Sequence, residues 1–185
     1  QGGQVAYLKH GLGASADSWV LHKEKEALGL MLVNQGFDVW LGNSRGTKYS
    51  HNHVTFDPES EEFWNFSWQE SALGDVKTSL EYIQSTTGTE KIVYVGHSQG
   101  TSEGFVLLSD PTTHEWANKL ISHYVGLAPI CLMTNFRQKM ILVLSKHKEE
   151  VATLLKELKM WKFAGTNCSY SQEKREWWNL QCALD

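Results

Sequence analysis

Through residue 129 the chain alternates two patterns: short aliphatic or β-branched runs, and segments whose apolar residues recur three and four positions apart. Val5-Ala-Tyr-Leu-Lys9 predicts a short buried strand that stops at His10-Gly11-Leu12-Gly13, where two glycines force a loop. Ala27, Leu28, Met31 and Leu32 fall on one helical face, Gly36 follows as a cap, and Phe37 to Leu41 resumes a strand, which makes one βαβ unit. From Gly42 to Phe66 the chain is polar, with Pro58 and the acidic Glu59, Glu61 and Glu62, and reads as a solvated loop. Ser67-Trp-Gln-Glu70 has the form of a capping box, after which Ala72, Val76, Leu80 and Ile83 mark a helix that Gly88 ends. Lys91 to Val95 is a further strand, leading through Gly96-His97-Ser98-Gln99-Gly100 into an apolar helix that reaches Leu108. Asp110-Pro111 breaks the pattern, a helical patch covers Trp116 to Leu120, and Ser122 to Leu127 is another strand. Such alternation implies an α/β fold, with a mostly parallel sheet and helices on both faces.

After Pro129 only the helical period continues, carried by Met140, Leu144, Val151, Leu154, Leu155, Leu158 and Trp161 with Lys and Glu between them. The chain therefore divides into an α/β core over residues 1–129 and the beginning of a helical segment over 130–185. No internal repeat or low-complexity segment interrupts either part.

Composition narrows the class. Seventeen Lys and Arg against 21 Asp and Glu, a net charge of −4, and no dense basic block leave no electrostatic footprint for nucleic acid. No run approaches the roughly 18 apolar residues of a membrane span. The chain opens at Gln1 without a signal-like segment, and reads as a piece of something longer. Cys131, Cys168 and Cys182 are too few for a disulfide scaffold. His51-x-His53 lacks companion ligands at metal spacing, so neither a metal nor a cofactor is implied.

The pattern G-x-S-x-G occurs three times, around Ser44, Ser98 and Ser102, and context separates them. Ser102 lies inside a helix pattern, and Ser44 follows a strand but leads into the polar stretch Thr47 to His53. Only Ser98 has a strand before it and a helix after it, the setting of a nucleophile elbow, in which small neighbours such as Gly96 and Gly100 let the two elements crowd together. In that fold an N–H from the early strand-end loop joins the N–H after the nucleophile in binding an oxyanion, which nominates Leu12 and Gln99. His10 and His97 flank these turns and are expected to shape them, with Gly11 beside His10. A triad base should follow the nucleophile and end a strand, but His114 follows a break, His123 begins a strand, and His147 sits in a Lys-rich helix. None is placed to serve, so the 185 residues alone are expected to show an elbow and little activity.

His10-Gly-Leu12, Asp38-Val-Trp-Leu-Gly-Asn-Ser-Arg-Gly46, Glu62-Phe-Trp64 and Gly96-His-Ser-Gln-Gly100, in that order, resemble the acid lipase family of gastric and lysosomal enzymes over most of residues 5–130. The resemblance implies a partial α/β-hydrolase fold with the start of a helical cap. It further implies hydrolysis of neutral lipid esters, triacylglycerols or cholesteryl esters, in a secreted or lysosomal setting. On it the nucleophile falls on Ser98 and the oxyanion donors on Leu12 and Gln99, Ser44 has no catalytic role, and the acid and base lie beyond residue 185. It also makes Cys168 and Cys182 the family's cap bridge, although they stand wider apart here. Asn65-Phe-Ser67 and Asn167-Cys-Ser169 fit the N-glycosylation triplet. Trp161, Trp177 and Trp178 among the cap's amphipathic helices suit a lid that meets a lipid–water interface. Two other readings stay open: a different acyl hydrolase, such as a thioesterase or peptidase, and a non-catalytic module on a hydrolase scaffold. Oligomeric state is not legible.

Overall fold

A computed structural model describes residues 2–132, 137 and 139–158. Four strands, β1 (Val5–Lys9), β2 (Asp38–Gly42), β3 (Ile92–His97) and β4 (Ile121–Leu127), form one parallel sheet in the order β2-β1-β3-β4. The register pairs Lys9 with Gly42 and with Gly96, and Gly96 with Gly126, so the carboxyl ends of all four strands finish in one row. Every loop that follows a strand opens on that edge.

Side chains alternate along each strand, and both faces are covered. Val5, Tyr7, Ile92, Tyr94 and Ile121 point to one face and pack with α4 (Lys77–Thr87), α5 (Gln99–Ser109) and α6 (His114–Leu120) through Leu80, Ile83, Leu107, Ala117 and Leu120. Ala6, Leu8 and Val95 point to the other, against Trp19 and the Leu28 and Leu32 side chains of α1 (Leu28–Asn34). This is why β1 reads as a continuous apolar run: it is buried on both sides along its whole length.

The helix boundaries have local causes. Gly36 takes φ 85° just past α1, and Gly88 takes φ 69° at the end of α4, a left-handed region costly for other residues. The Ser67 capping box forms in full: its hydroxyl accepts from Gln69 N–H at 3.2 Å, and the Glu70 carboxylate accepts from Ser67 N–H at 2.8 Å. Beyond it the helix departs from expectation. Instead of one α-helix from Ser67 to Gly88, α3 (Trp68–Glu70) runs into a π-helical segment, Ser71–Val76, before α4 begins. The expected loop from Gly42 to Phe66 also contains one helical turn, α2 (Glu61–Trp64), capped by the Ser60 hydroxyl and holding the buried Phe63. Past β4 come α7 (Lys139–Lys146) and α8 (Lys148–Glu157), which contact each other. Leu144, Leu154 and Leu158, expected on their apolar stripe, are exposed.

Candidate active site

Ser98 stands between β3 and α5 with φ 51° and ψ −118°. A non-glycine residue at such angles is strained, and the strain holds because the surroundings leave the chain no other path. Its N–H donates to Leu127 O at 3.0 Å, fastening the turn to the end of β4, where Ala128 is the second non-glycine residue at positive φ, 48°. Beneath the turn, β3, α5 and β1 approach closely. A Cβ on Gly96 would lie 2.6 Å from Gly100 O, and one on Gly100 would lie 2.5 Å from Lys9 O. Gly11 faces the serine itself, since a Cβ there would sit 2.8 Å from Ser98 Cβ and 3.3 Å from Oγ. The early glycine loop and the G-x-S-x-G turn, 85 to 89 residues apart when counted from Gly11 to Gly96 and Gly100, are thus in contact at the sheet edge.

Two tyrosines brace the first turn of α5 from below. Tyr94 OH donates to Gly100 O at 2.6 Å and Tyr124 OH to Thr101 O at 2.9 Å. Burial raises both phenols, Tyr124 to about 12, so they remain donors at any physiological pH. From above, Thr101 Oγ1 accepts from Ile130 N–H at 2.9 Å and Ser102 Oγ donates to Ile130 O at 2.7 Å, which draws the chain after β4 over the helix.

His10 is buried, and its Nε2 accepts from Ser44 N–H at 3.1 Å. The proton is thereby left on Nδ1, which donates to Gly11 O at 2.8 Å. Burial, helped by the neighbouring Lys9 charge and opposed by the Gly11 carbonyl, pushes its pKa down to about 4, so the ring is a neutral tie between the β1 and β2 loops. His97 is exposed and meets Trp19 edge-on, ring centroids 6.4 Å apart. Leu12 is exposed, and Gln99 is the first residue of α5, where an N–H has no acceptor within the helix.

The sequence reading passed over several residues that the fold brings to this edge. Lys9 and Glu103, both fully buried, form an ion pair with Nζ 3.1 Å from Oε2. The contact is ionic rather than a directed hydrogen bond, since Glu103 Oε2 accepts none, and Lys9 separately donates to Ser44 Oγ. Gln99 Nε2 donates to the other oxygen, Oε1, at 3.0 Å. Removing one member of such a buried pair costs about 3–5 kcal/mol, since the other charge is left without a partner. The only sequence signal is two charges at positions the periodicity assigns to the interior. Arg45 likewise clamps Asp75 of the π-helical segment, with Nε at 2.8 Å, Nη2 at 2.6 Å and its backbone N–H at 2.9 Å from the carboxylate. Ser44 therefore belongs to a structural turn. Ser102, in the third copy of the pattern, lies within α5.

His114 Nδ1 is 3.2 Å from Asp110 O, His123 Nδ1 is 3.3 Å from Ser122 Oγ, and His147 lies 3.8 Å from Glu150. Among the described residues no histidine is within hydrogen-bond reach of Ser98 Oγ. Cys131 is free and exposed, whereas Cys168, Cys182, Asn167 and Trp161, Trp177 and Trp178 lie outside the described residues.

The parallel sheet with its helices agrees with comparison to known proteins. The family described as alpha/beta hydrolase fold matches residues 7–161. The chain belongs to that family. This α/β-hydrolase is acid lipase-like in sequence: it is 46% identical over 126 residues to gastric triacylglycerol lipase of Mus musculus, covering 68% of this chain and 31% of that protein. Lysosomal acid lipase/cholesteryl ester hydrolase of Macaca fascicularis is 44% identical over 126 residues, with 68% of this chain and 31% of that protein covered. Triacylglycerol lipase 1 of Arabidopsis thaliana is 45% identical over 115 residues, with 62% and 29% covered. The chain thus spans about a third of the length of these relatives. Among solved structures, an extracellular alpha/beta-hydrolase from a Paenibacillus species superposes with a TM-score of 0.50 at 15% identity, over 80% of this chain and 52% of that one, and bears on the fold.

Proposed function

We propose that this α/β-hydrolase chain carries the nucleophile and oxyanion-binding part of a serine ester hydrolase acting on neutral lipids. The observation that supports this most directly is the strained Ser98, held at φ 51° between β3 and α5 with Gly11 packed against it. The names of the relatives supply the substrate class: gastric triacylglycerol lipase and lysosomal acid lipase/cholesteryl ester hydrolase. In this reading Ser98 Oγ bonds to the ester carbonyl carbon while a base takes the hydroxyl proton. The carbonyl oxygen becomes an oxyanion held by the Leu12 and Gln99 N–H groups. Collapse breaks the carbon–oxygen bond to the alcohol, which leaves with that proton, and water then cleaves the acyl-enzyme. The base and its acid come from outside the described residues, since the three histidines that follow Ser98 within them bond elsewhere. A secreted or lysosomal setting, and a lid in which residues such as Leu144, Leu154 and Leu158 meet lipid, complete the proposal.

The test uses the full-length protein. Ser98→Ala should lower turnover of a short-chain ester by about 10⁴-fold or more, with Ser102→Ala within a few-fold of wild type. A fluorophosphonate should label the peptide containing Ser98. Retained turnover in Ser98→Ala overturns the assignment, and preference for a peptide over both an emulsified triacylglycerol and a soluble ester overturns the lipase part of it.

A further inference from the structure

We propose that the buried Lys9–Glu103 pair is a positioning device that fixes the distance between the Leu12 and Gln99 N–H groups, so that it governs turnover rather than substrate affinity. The inference rests on the esterase reading above and deepens it. The two donors belong to elements far apart in sequence, one on the loop after β1 and the other at the start of α5. Backbone packing at Gly100 and Gly11 brings the two elements close, but an oxyanion must be met by both donors within a fraction of an ångström, which asks for a directed tie as well.

Lys9 is the last residue of β1, three positions before Leu12, and Glu103 lies one helical turn past Gln99 on the same face of α5. The ion pair of 3.1 Å joins the two elements directly. Each partner also holds a second group at the site. Glu103 Oε1 accepts from the Gln99 side chain at 3.0 Å, which pins the residue that bears one donor. Lys9 donates to Ser44 Oγ, and Ser44 N–H donates to His10 Nε2 at 3.1 Å, which pins the loop that bears the other. With the His10 Nδ1–H bond to Gly11 O, these contacts make a continuous polar circuit from the Gln99 side chain to the carbonyl of the peptide that carries the Leu12 N–H.

Burial of the pair argues for a role beyond cohesion. Both side chains are almost wholly excluded from water, 1% and 0% exposed, and the Glu103 charge is felt by the buried phenols of Tyr7 and Tyr94. Two apolar residues of similar volume would pack there at least as favourably, because desolvating two charges consumes most of their mutual attraction. What an apolar pair lacks is direction. A charge pair whose members are each tied to a further group, Lys9 to Ser44 and Glu103 to Gln99, has fewer good geometries than a methionine and a leucine.

The deciding variant is therefore Lys9→Met/Glu103→Leu in the full-length protein, which keeps the volume and leaves no unpaired charge. It should stay folded, hydrolyse a soluble short-chain ester with kcat lowered at least tenfold and KM within about twofold, and show faster amide exchange by mass spectrometry at Ser44 and Thr101, whose N–H groups are hydrogen-bonded to His10 Nε2 and Ser98 O. Lys9→Met alone, which strands Glu103, should also melt earlier. A folded double variant with wild-type kcat and unchanged exchange at both residues overturns the proposal, as does a rise in KM with kcat unchanged. Failure of the wild-type protein to turn over any ester sinks the esterase reading alone, and the exchange comparison then decides this one by itself.

Discussion

Alanine adds one methyl group to glycine, and at Gly100 that carbon would stand 2.5 Å from Lys9 O and 2.8 Å from His10 O. Both are backbone atoms at the end of the central strand, so neither can swing aside as a side-chain tip could. Gly100→Ala should therefore destabilise by about 3 kcal/mol through forced separation of β1 and α5. A denaturation midpoint unchanged from wild type would show that the strand and helix are not locked at this contact. His10 gives a prediction of a different kind. Its folded pKa is about 4 against an ordinary 6.5, so above pH 6.5 both folded and unfolded imidazoles are neutral and the residue adds no pH dependence. As pH falls from 6.5 towards 4 the unfolded chain takes up a proton that the folded chain refuses, and stability is lost. The full effect is on the order of 3 kcal/mol. His10→Gln should flatten that part of the stability–pH curve, measured by urea unfolding at a series of pH values, and an unchanged slope would mean that His10 does not stay neutral when folded.

At the scale of elements, the Ser67 cap separates two uses of one residue. The hydroxyl is committed to Gln69 N–H and to the Glu70 carboxylate, and the same serine completes the triplet Asn65-Phe-Ser67. Ser67→Ala should cost about 1 kcal/mol as a lost cap, while Asn65→Gln, at an exposed position, should leave stability within about 0.5 kcal/mol. Equal losses in the two variants would point instead to a glycan-dependent effect. The cap was legible because its pattern is local, and so were β1 and β3, whose β-branched and aromatic runs are bounded by glycine. The π-helical segment Ser71–Val76 was not, because its cause lies elsewhere in the chain. Asp75 is held by Arg45, and a Cβ on Gly74 would come 2.6 Å from Arg45 Nη2, so a distant guanidinium shapes the winding of this helix. The site divides in the same way. Ser98, Gly96 and Gly100 could be read from one turn and its flanks, whereas Lys9, Glu103 and Ser44 gain meaning only when parallel pairing brings three strand ends into one row.

For the whole molecule, the strand order leaves two outer strands, each paired on one side only among the described residues. β2 is half-buried over most of its length, and β4 is seven residues long with His123 and Val125 exposed. A strand of that length with free N–H and C=O groups and no proline is a template for another chain. The apolar stripe of the helical segment, exposed at Leu144, Leu154 and Leu158, adds surface of the same tendency. Produced alone, the 185-residue polypeptide should therefore self-associate, with a mass above that of one chain in size-exclusion chromatography with light scattering. The sheet edge and the helical stripe are separable causes. Val125→Lys places a charge on the exposed row of β4 without touching α7 or α8, and should shift the distribution towards monomer if edge pairing dominates. Replacing Leu154 by Lys should do so if the stripe dominates. A wild-type polypeptide that stays monomeric at tens of micromolar would show that neither surface is sticky enough to matter, and that the outer strands are protected by their own twist and side chains.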